Sequence, residues 1–212
     1  MPSSRSSAAT PFCRRCFKPL KENGLRFLFG FPPICKRCYQ ELSPKWIRWK
    51  EEGASCLAIY QYNEAVRSTL YQFKGLGDIE LASAFFGYQS PYLRLLYRHY
   101  WVVPIPSSPS HDQARGFNQV REMAACLGLP IVDALRKKEG AKQSDLPAKE
   151  RARVGELLEL AHPELIQGRR VLLLDDVFTT GSTARACLEL LKRAKPRKIR
   201  FLAMAKTMGK TP

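Results

Sequence analysis

Asp175 and Asp176 stand side by side at the end of the apolar run Val171-Leu172-Leu173-Leu174, and Val177-Phe178 leads from them into Thr179-Thr180-Gly181-Ser182-Thr183. Carboxylates repel a bare phosphate. They suit ribose hydroxyls, which donate hydrogen bonds to carboxylate, or a Mg²⁺ ion, which takes oxygen ligands. The turn suits the phosphate itself. Gly181 is free to adopt positive φ, backbone N–H groups of Thr179 to Thr183 can converge on anion oxygens, and the Thr and Ser hydroxyls add donors. A P-loop is excluded, because no G-x-x-x-x-G-K-[ST] run occurs. A lone acidic pair before a turn is equally well explained by a capped strand-turn-helix. The strand, the pair, the hydroxyl-rich turn and the helix behind it together point to a cradle for phosphate and ribose.

A second set of ligating residues lies near the N-terminus. Cys13-x2-Cys16 and Cys35-x2-Cys38 are separated by 18 residues, the spacing of a four-thiolate zinc site. Four Cys ligands leave no open position for water, so the Zn²⁺ is expected to be structural. Thiols kept reduced in a cytoplasmic protein make a disulfide pair the weaker reading. Cys56, Cys126 and Cys187 fall in apolar or helical patterns and read as buried thiols. Arg14, Arg15, Lys36 and Arg37 sit beside the four ligands, interleaved with Phe12, Phe17 and Tyr39. Such a mixture can hold single-stranded DNA by neutralising phosphates and stacking bases, or it is a small metal-centred core with solvated cations; both readings stand here. His99, His111 and His162 have no Ser or Cys partner in their spacing, and no hydrolytic triad is expected.

These groups need a scaffold. Consecutive apolar residues at 171–174 suit a strand covered on both faces, as in a parallel sheet, whose ligands bind at the carboxyl ends of the strands. Behind the turn, Ala184, Cys187, Leu188, Leu191 and Ala194 recur at helical spacing, which places the turn at a helix N-terminus, where orphan N–H groups favour anions. Further strands are expected at 56–60, 101–103, 131–135 and 198–205. Helices are expected after Asn63, with Val66, Thr69, Leu70 and Phe73 on one face, over 79–88, and from Asn118 to a stop at Gly128. Arg115, just before that helix start, is able to pair bidentately with phosphate. Residues 136–153 are rich in Lys and Arg without periodicity, which suits a mobile lid over the site, a solvated loop or a DNA contact. Trp46 and Trp49 are expected to pack the cysteine head onto the main domain. The organisation is therefore a disordered lead at 1–10, a Cys₄ zinc-binding head at 11–50 and an α/β domain at 51–212.

Residues 171–183 resemble the phosphoribosyl-pyrophosphate (PRPP) motif of type I phosphoribosyltransferases. Val102-Val103-Pro104-Ile105-Pro106-Ser107 and Arg115-Gly116-Phe117-Asn118-Gln119 resemble the V-P-V-P and R-G-F-N-Q signatures of the ComF (ComFC) competence proteins, as do Lys142-Gln143-Ser144 with Leu146 and Glu150-Arg151, and the paired cysteines. Similarity spans residues 12 to 206, and it departs at Arg153, where the family pattern has Asn. The resemblance implies a type I phosphoribosyltransferase-like parallel sheet flanked by helices, with a small zinc-binding head. It also implies site roles: Asp175 and Asp176 on the ribose hydroxyls of PRPP with its Mg²⁺, Thr179, Thr180, Gly181, Ser182 and Thr183 on the 5-phosphate, and Ser107, Ser108 and Arg115 on pyrophosphate. A role in DNA uptake during natural competence follows, on incoming single strands beside a helicase partner. The alternatives are a nucleobase phosphoribosyltransferase of salvage metabolism and a non-catalytic nucleic-acid-binding module that keeps the fold.

Charge sharpens the partner class. The formal net charge is +16 over 212 residues, and residues 1–50 alone hold 11 Lys/Arg against 2 acidic residues. Such a balance is the footprint of a phosphate-bearing partner, or of solubility alone. No apolar run reaches the length of a membrane span, and the first ten residues lack the apolar stretch of a signal peptide, so a cytoplasmic location is expected.

Overall fold

Alternation and burial decide which segments become strands. In this computed structural model, which describes residues 11–20, 34–107, 112–113, 116–138 and 157–208, the strands are β1 (Pro44–Glu51), β2 (Ala54–Gln61), β3 (Tyr100–Pro104), β4 (Leu135–Lys137), β5 (Leu158–Leu160), β6 (Arg170–Phe178) and β7 (Lys198–Lys206). The helices are α1 (Lys36–Leu42), α2 (Glu64–Gly75), α3 (Ala82–Phe86), α4 (Ser90–Leu96), α5 (Gln119–Ala125) and α6 (Ser182–Arg193). Five strands form one sheet in the order β1-β2-β7-β6-β3, parallel except for β1, which pairs antiparallel with β2. β4 and β5 form a separate antiparallel ribbon.

The expected double-sided burial of 171–174 is present. Leu172 and Leu174 enter one apolar cluster with Phe73 of α2, Phe85 of α3 and Met123 of α5, while Val171 and Leu173 enter the other with Cys187, Leu188 and Leu191 of α6. Each such fully buried side chain contributes roughly 1.5–3 kcal/mol, so the central strand is fixed in depth and register. Asn63 caps α2 by accepting from the Val66 N–H at 2.8 Å, and Val66, Thr69, Leu70 and Phe73 form its buried face. Asn118 caps α5 in the same way through the Arg121 N–H at 2.9 Å.

Three expectations are redrawn. The helix expected over 79–88 is a 3₁₀ turn at Ile79–Leu81 followed by α3, which ends at Phe86 with Gly87 as its cap. At 131–135 there is no continuous strand: Ile131 bridges Val102, whose N–H is taken by the Pro130 carbonyl at 2.7 Å and whose carbonyl accepts from Val132 at 2.9 Å, and the chain then leaves to start β4 at Leu135. Trp46 and Trp49 do more than join two bodies. They lie in β1, the edge strand of the main sheet, where Trp49 packs on Phe178 at 4.9 Å and on Phe201 at 5.9 Å. The expected boundary between 50 and 51 therefore falls inside β1. Cys13, Leu20, Ile34, Cys38 and Leu42 share the apolar cluster of Phe73 and Phe85, so head and main domain have one core.

The lead 1–10, Ser108, Arg115, the segment 139–156 that holds most of the expected lid, and Arg153 lie outside the described residues. Among the described residues no helix is long and apolar enough to cross a membrane.

Candidate functional site

β3 stops pairing with β6 at Pro104 opposite Leu174, and the Ile105 N–H makes the last bond to the Leu174 carbonyl at 2.8 Å. β6 runs on, still paired with β7, and so carries Asp175 and Asp176 past its neighbour at the carboxyl edge of the sheet. Successive strand residues turn to opposite sides, and the pair divides accordingly. Asp176 is buried beneath α2 and α5: its Oδ2 accepts from Gln119 Nε2 at 2.9 Å and pairs with the ammonium of Lys74, and its Oδ1 accepts from the Val177 N–H. Asp175 accepts the Asp176 N–H at 2.8 Å, and its charge is felt by the buried Cys187 thiol of α6, which is pushed up by burial and then by this carboxylate. Burial and, second, the neighbouring Asp176 charge hold the Asp175 carboxyl well above the usual carboxylate range. A cation or a hydroxyl donor beside Asp175 would relieve that penalty, so the donor set fits Mg²⁺ and ribose alike.

Aromatic packing places Lys74. The Phe73 ring meets Phe85 at 5.7 Å and Phe117 at 5.3 Å, which docks the last turn of α2 against the segment entering α5. Lys74 and Gln119 thereby meet over one carboxylate, with side-chain exposures of 28% for Lys74 and 11% for Asp176. Ser107 sits at the same edge, but its hydroxyl is committed. Asn118 Nδ2 donates to Ser107 Oγ and to Asp112 Oδ2, both at 2.9 Å, while Ser107 Oγ donates to Asp112 Oδ1. This network closes the connection from β3 to α5.

The turn between β6 and α6 is open to solvent at Thr179 and Thr180. Gly181 has φ +78°, and a Cβ there would lie 2.5 Å from the Phe178 ring, so only glycine fits. No side chain caps α6, which leaves its first-turn N–H groups for a ligand or water. Arg185 braces the turn by donating to the Thr180 carbonyl at 2.9 Å and to Glu51 of β1 at 3.0 Å. Asp175, Asp176, the 179–183 turn and Ser107 thus share the carboxyl edge. Sequence reasoning missed Lys74, Asp112 and Arg185 and gave Gln119 no role; only Gln119 carried a signal, through its place in the R-G-F-N-Q segment.

The second constellation is the cysteine cluster. The four sulfurs of Cys13, Cys16, Cys35 and Cys38 lie within 4.8 Å of one another, and Cys16 and Cys35 are 3.8 Å apart. A tetrahedral site with metal–sulfur bonds of ~2.3 Å has sulfur–sulfur edges of ~3.8 Å, so the cluster fits a four-coordinate metal. Burial opposes ionisation of Cys13, but backbone N–H donors of Cys35, Cys16 and Arg15 outweigh it and bring that thiol down to about 7. Cys38 is driven up by burial and by the other thiols around it. A bound metal would resolve that conflict, because it would take all four as thiolates.

Most cations beside this cluster are engaged. Arg15, with a side chain only 14% exposed, donates to Thr69 of α2 at 2.9 Å and to Glu41 at 2.5 Å. Arg37 donates to the same Glu41 at 3.1 Å, and Arg14 pairs with Glu80. Lys36 is exposed.

Comparison with known proteins bears on the first constellation. A family model described as a phosphoribosyl transferase domain matches residues 113–212, which include β6, the turn and α6. Competence protein ComFC of Streptococcus pneumoniae (strain ATCC BAA-255 / R6) is 32% identical over 160 residues, covering 74% of this chain and 72% of that one. Competence protein ComFC of Bacillus subtilis (strain 168) is 35% identical over 143 residues, covering 65% of this chain but only 59% of the relative's length. Among solved structures, the chain is similar to an adenine phosphoribosyltransferase, at 19% identity and TM-score 0.40 over 80% of this chain and 89% of that one. A hypoxanthine-guanine-xanthine phosphoribosyltransferase matches at 16% identity and TM-score 0.35, over 64% and 67%.

Proposed function

The chain belongs to the ComFC family of competence proteins and carries a phosphoribosyl transferase domain, and from that premise we propose that it is a PRPP-binding protein of DNA uptake during natural competence. One observation carries this reading. β6 brings Asp175 and Asp176 beside a glycine-led turn at the uncapped N-terminus of α6, on the carboxyl edge of a parallel sheet. We assign Asp175 and Asp176 to the ribose hydroxyls and to Mg²⁺, residues 179–183 to the 5-phosphate, and Ser107, Ser108 and Arg115 to pyrophosphate. Cys13, Cys16, Cys35 and Cys38 hold structural Zn²⁺. Single-stranded DNA and a helicase of the uptake machinery are the partners this reading implies, on the cytoplasmic side.

Displacement at ribose C1 develops oxocarbenium character and needs no protein nucleophile. Rate would come from positioning, exclusion of water and neutralisation of departing pyrophosphate, to which bound Mg²⁺ would contribute. A PRPP sensor without turnover is the second reading, and it draws on the capture of Asp176 by Lys74 and Gln119. The deciding experiment is pyrophosphate release from PRPP by the zinc-loaded protein with Mg²⁺, offered free bases, single-stranded DNA or no acceptor. Release that requires one acceptor names an enzyme and its substrate. Tight PRPP binding without release makes the site a sensor, and absence of PRPP binding overturns both readings.

A further inference from the structure

Three cationic segments that are distant in sequence meet at the amino ends of β3, β6 and β7. Arg98 precedes β3, Arg169 and Arg170 open β6, and Lys195, Arg197 and Lys198 lead into β7. Because these strands are parallel neighbours, Tyr100, Arg170 and Lys198 stand in one cross-strand row. The loops are stitched as well, with Gly168 donating to the Lys195 carbonyl at 3.2 Å and Arg197 to the Arg169 carbonyl at 2.8 Å. Among the described residues, no carboxylate lies within ion-pairing distance of any of these six cations. At the cysteine head, by contrast, Arg14, Arg15 and Arg37 are held by Glu80 and Glu41.

Next to the cations is a cleft of about 360 Å³ lined by Tyr92, Leu95, Leu96, Arg98, His99 and Arg170. Tyr92 is 50% and Leu95 63% exposed. Nearby, the Arg169 guanidinium lies 3.7 Å from the centre of the Trp101 ring. A ligand that satisfies this surface needs repeated negative charge together with flat apolar faces. A duplex shows its phosphates but keeps its bases stacked inside, and a lipid surface calls for apolar groups that protrude, whereas these leucines line a recess. A single strand offers both phosphates and free bases.

We propose that this amino-terminal edge is where the protein binds single-stranded nucleic acid, with Arg98, Arg169, Arg170, Lys195, Arg197 and Lys198 on the phosphates and Tyr92, Leu95 and Leu96 against bases. The inference rests on the single-strand reading of the family and moves its principal surface away from the cysteine head. Parallel strands put all amino ends opposite the carboxyl edge, and the rise of β6 from Arg170 to Asp175 and Asp176 separates this surface from the acidic pair by roughly 17–20 Å at ~3.3 Å per residue. PRPP and a single strand can be bound together.

The test is fluorescence anisotropy of labelled oligo(dT) with the full chain, over a salt series, with and without PRPP. Lys195→Ala/Arg197→Ala/Lys198→Ala should weaken binding at least tenfold and reduce the salt slope by about 2, since each phosphate neutralised on a single strand adds ~0.7 to that slope. Tyr92→Ala/Leu95→Ala should weaken binding with the slope unchanged, and PRPP should not displace the oligonucleotide. Wild-type binding that survives the triple substitution but is abolished by Arg14→Ala/Arg15→Ala/Lys36→Ala/Arg37→Ala would return the surface to the head. Capture by phosphatidylserine vesicles in preference to oligo(dT) would make the edge a membrane contact and overturn the proposal. A wild-type protein that binds no oligonucleotide removes the single-strand reading and this surface with it.

Discussion

At the carboxyl ends of β3 and β6 the charged groups answer one another. Asp176 holds Lys74 and Gln119, Asp112 takes Ser107 and Asn118, and Arg185 reaches Glu51. At the amino ends of the same strands, Arg98, Arg169, Arg170 and Lys198 have no carboxylate in reach among the described residues. The two ends share a sheet but not a rule. Charges compensated inside the fold belong to its architecture, and removing one leaves a partner stranded. Charges without a carboxylate partner repel one another slightly, so folding gains little from them and an external anion gains most.

The hardest break is at the acidic pair. Asp175→Asn with Asp176→Asn should lower PRPP affinity by on the order of 100-fold, about 2.7 kcal/mol, in a calorimetric titration with Mg²⁺. The melting temperature should move little, since the first substitution relieves a half-buried carboxyl beside Asp176 while the second strands Lys74. Retained affinity would detach the pair from the sugar.

A smaller effect sharpens the contrast directly. Lys74→Met leaves Asp176 without its cation and should cost about 1–3 kcal/mol, a few degrees of melting temperature for a chain of this size, whereas Lys198→Ala should stay within about 0.5 kcal/mol. Equal losses at the two ends would erase the distinction.

The smallest effect concerns pH. A carboxyl whose folded-state pKa is raised contributes stability that is fully present below its unfolded pKa and is lost as pH rises through the folded value. Asp175 is such a group. Unfolding free energy from urea melts should therefore decline as pH climbs above the ordinary carboxylate range, and Asp175→Asn should flatten that part of the curve. An unchanged slope would place its source elsewhere.

What was legible in the sequence was local. The run 171–174 reads as a strand because four apolar residues in succession admit no solvent face, and α6 reads from its spacing; both signals lie within a few residues of each other. The cysteine cluster reads from ligand spacing for the same reason. Lys74 did not read, because what defines it is a carboxylate 102 positions away, brought near by two phenylalanine rings. The amino-edge cations were equally hidden: three separate basic segments become one surface only through the order β7-β6-β3. Composition misdirected attention as well. Residues 1–50 are the more basic part per residue, yet Arg14, Arg15 and Arg37 beside the cysteines are spent on Glu80 and Glu41, which a count of charges does not reveal.

β1 begins two residues after α1 ends, directly downstream of the last cysteine of the cluster, and it closes the edge of the sheet along β2. A chain cut at residue 50 would lose more than a cysteine knuckle. It would bare the unpaired backbone of β2, an invitation to edge-to-edge association, and would open the apolar cluster around Phe73. The cysteine head is therefore not a portable module. A truncation joined just upstream of Pro44 keeps the sheet edge covered but still strips Leu20, Ile34, Cys38 and Leu42 from the cluster around Phe73.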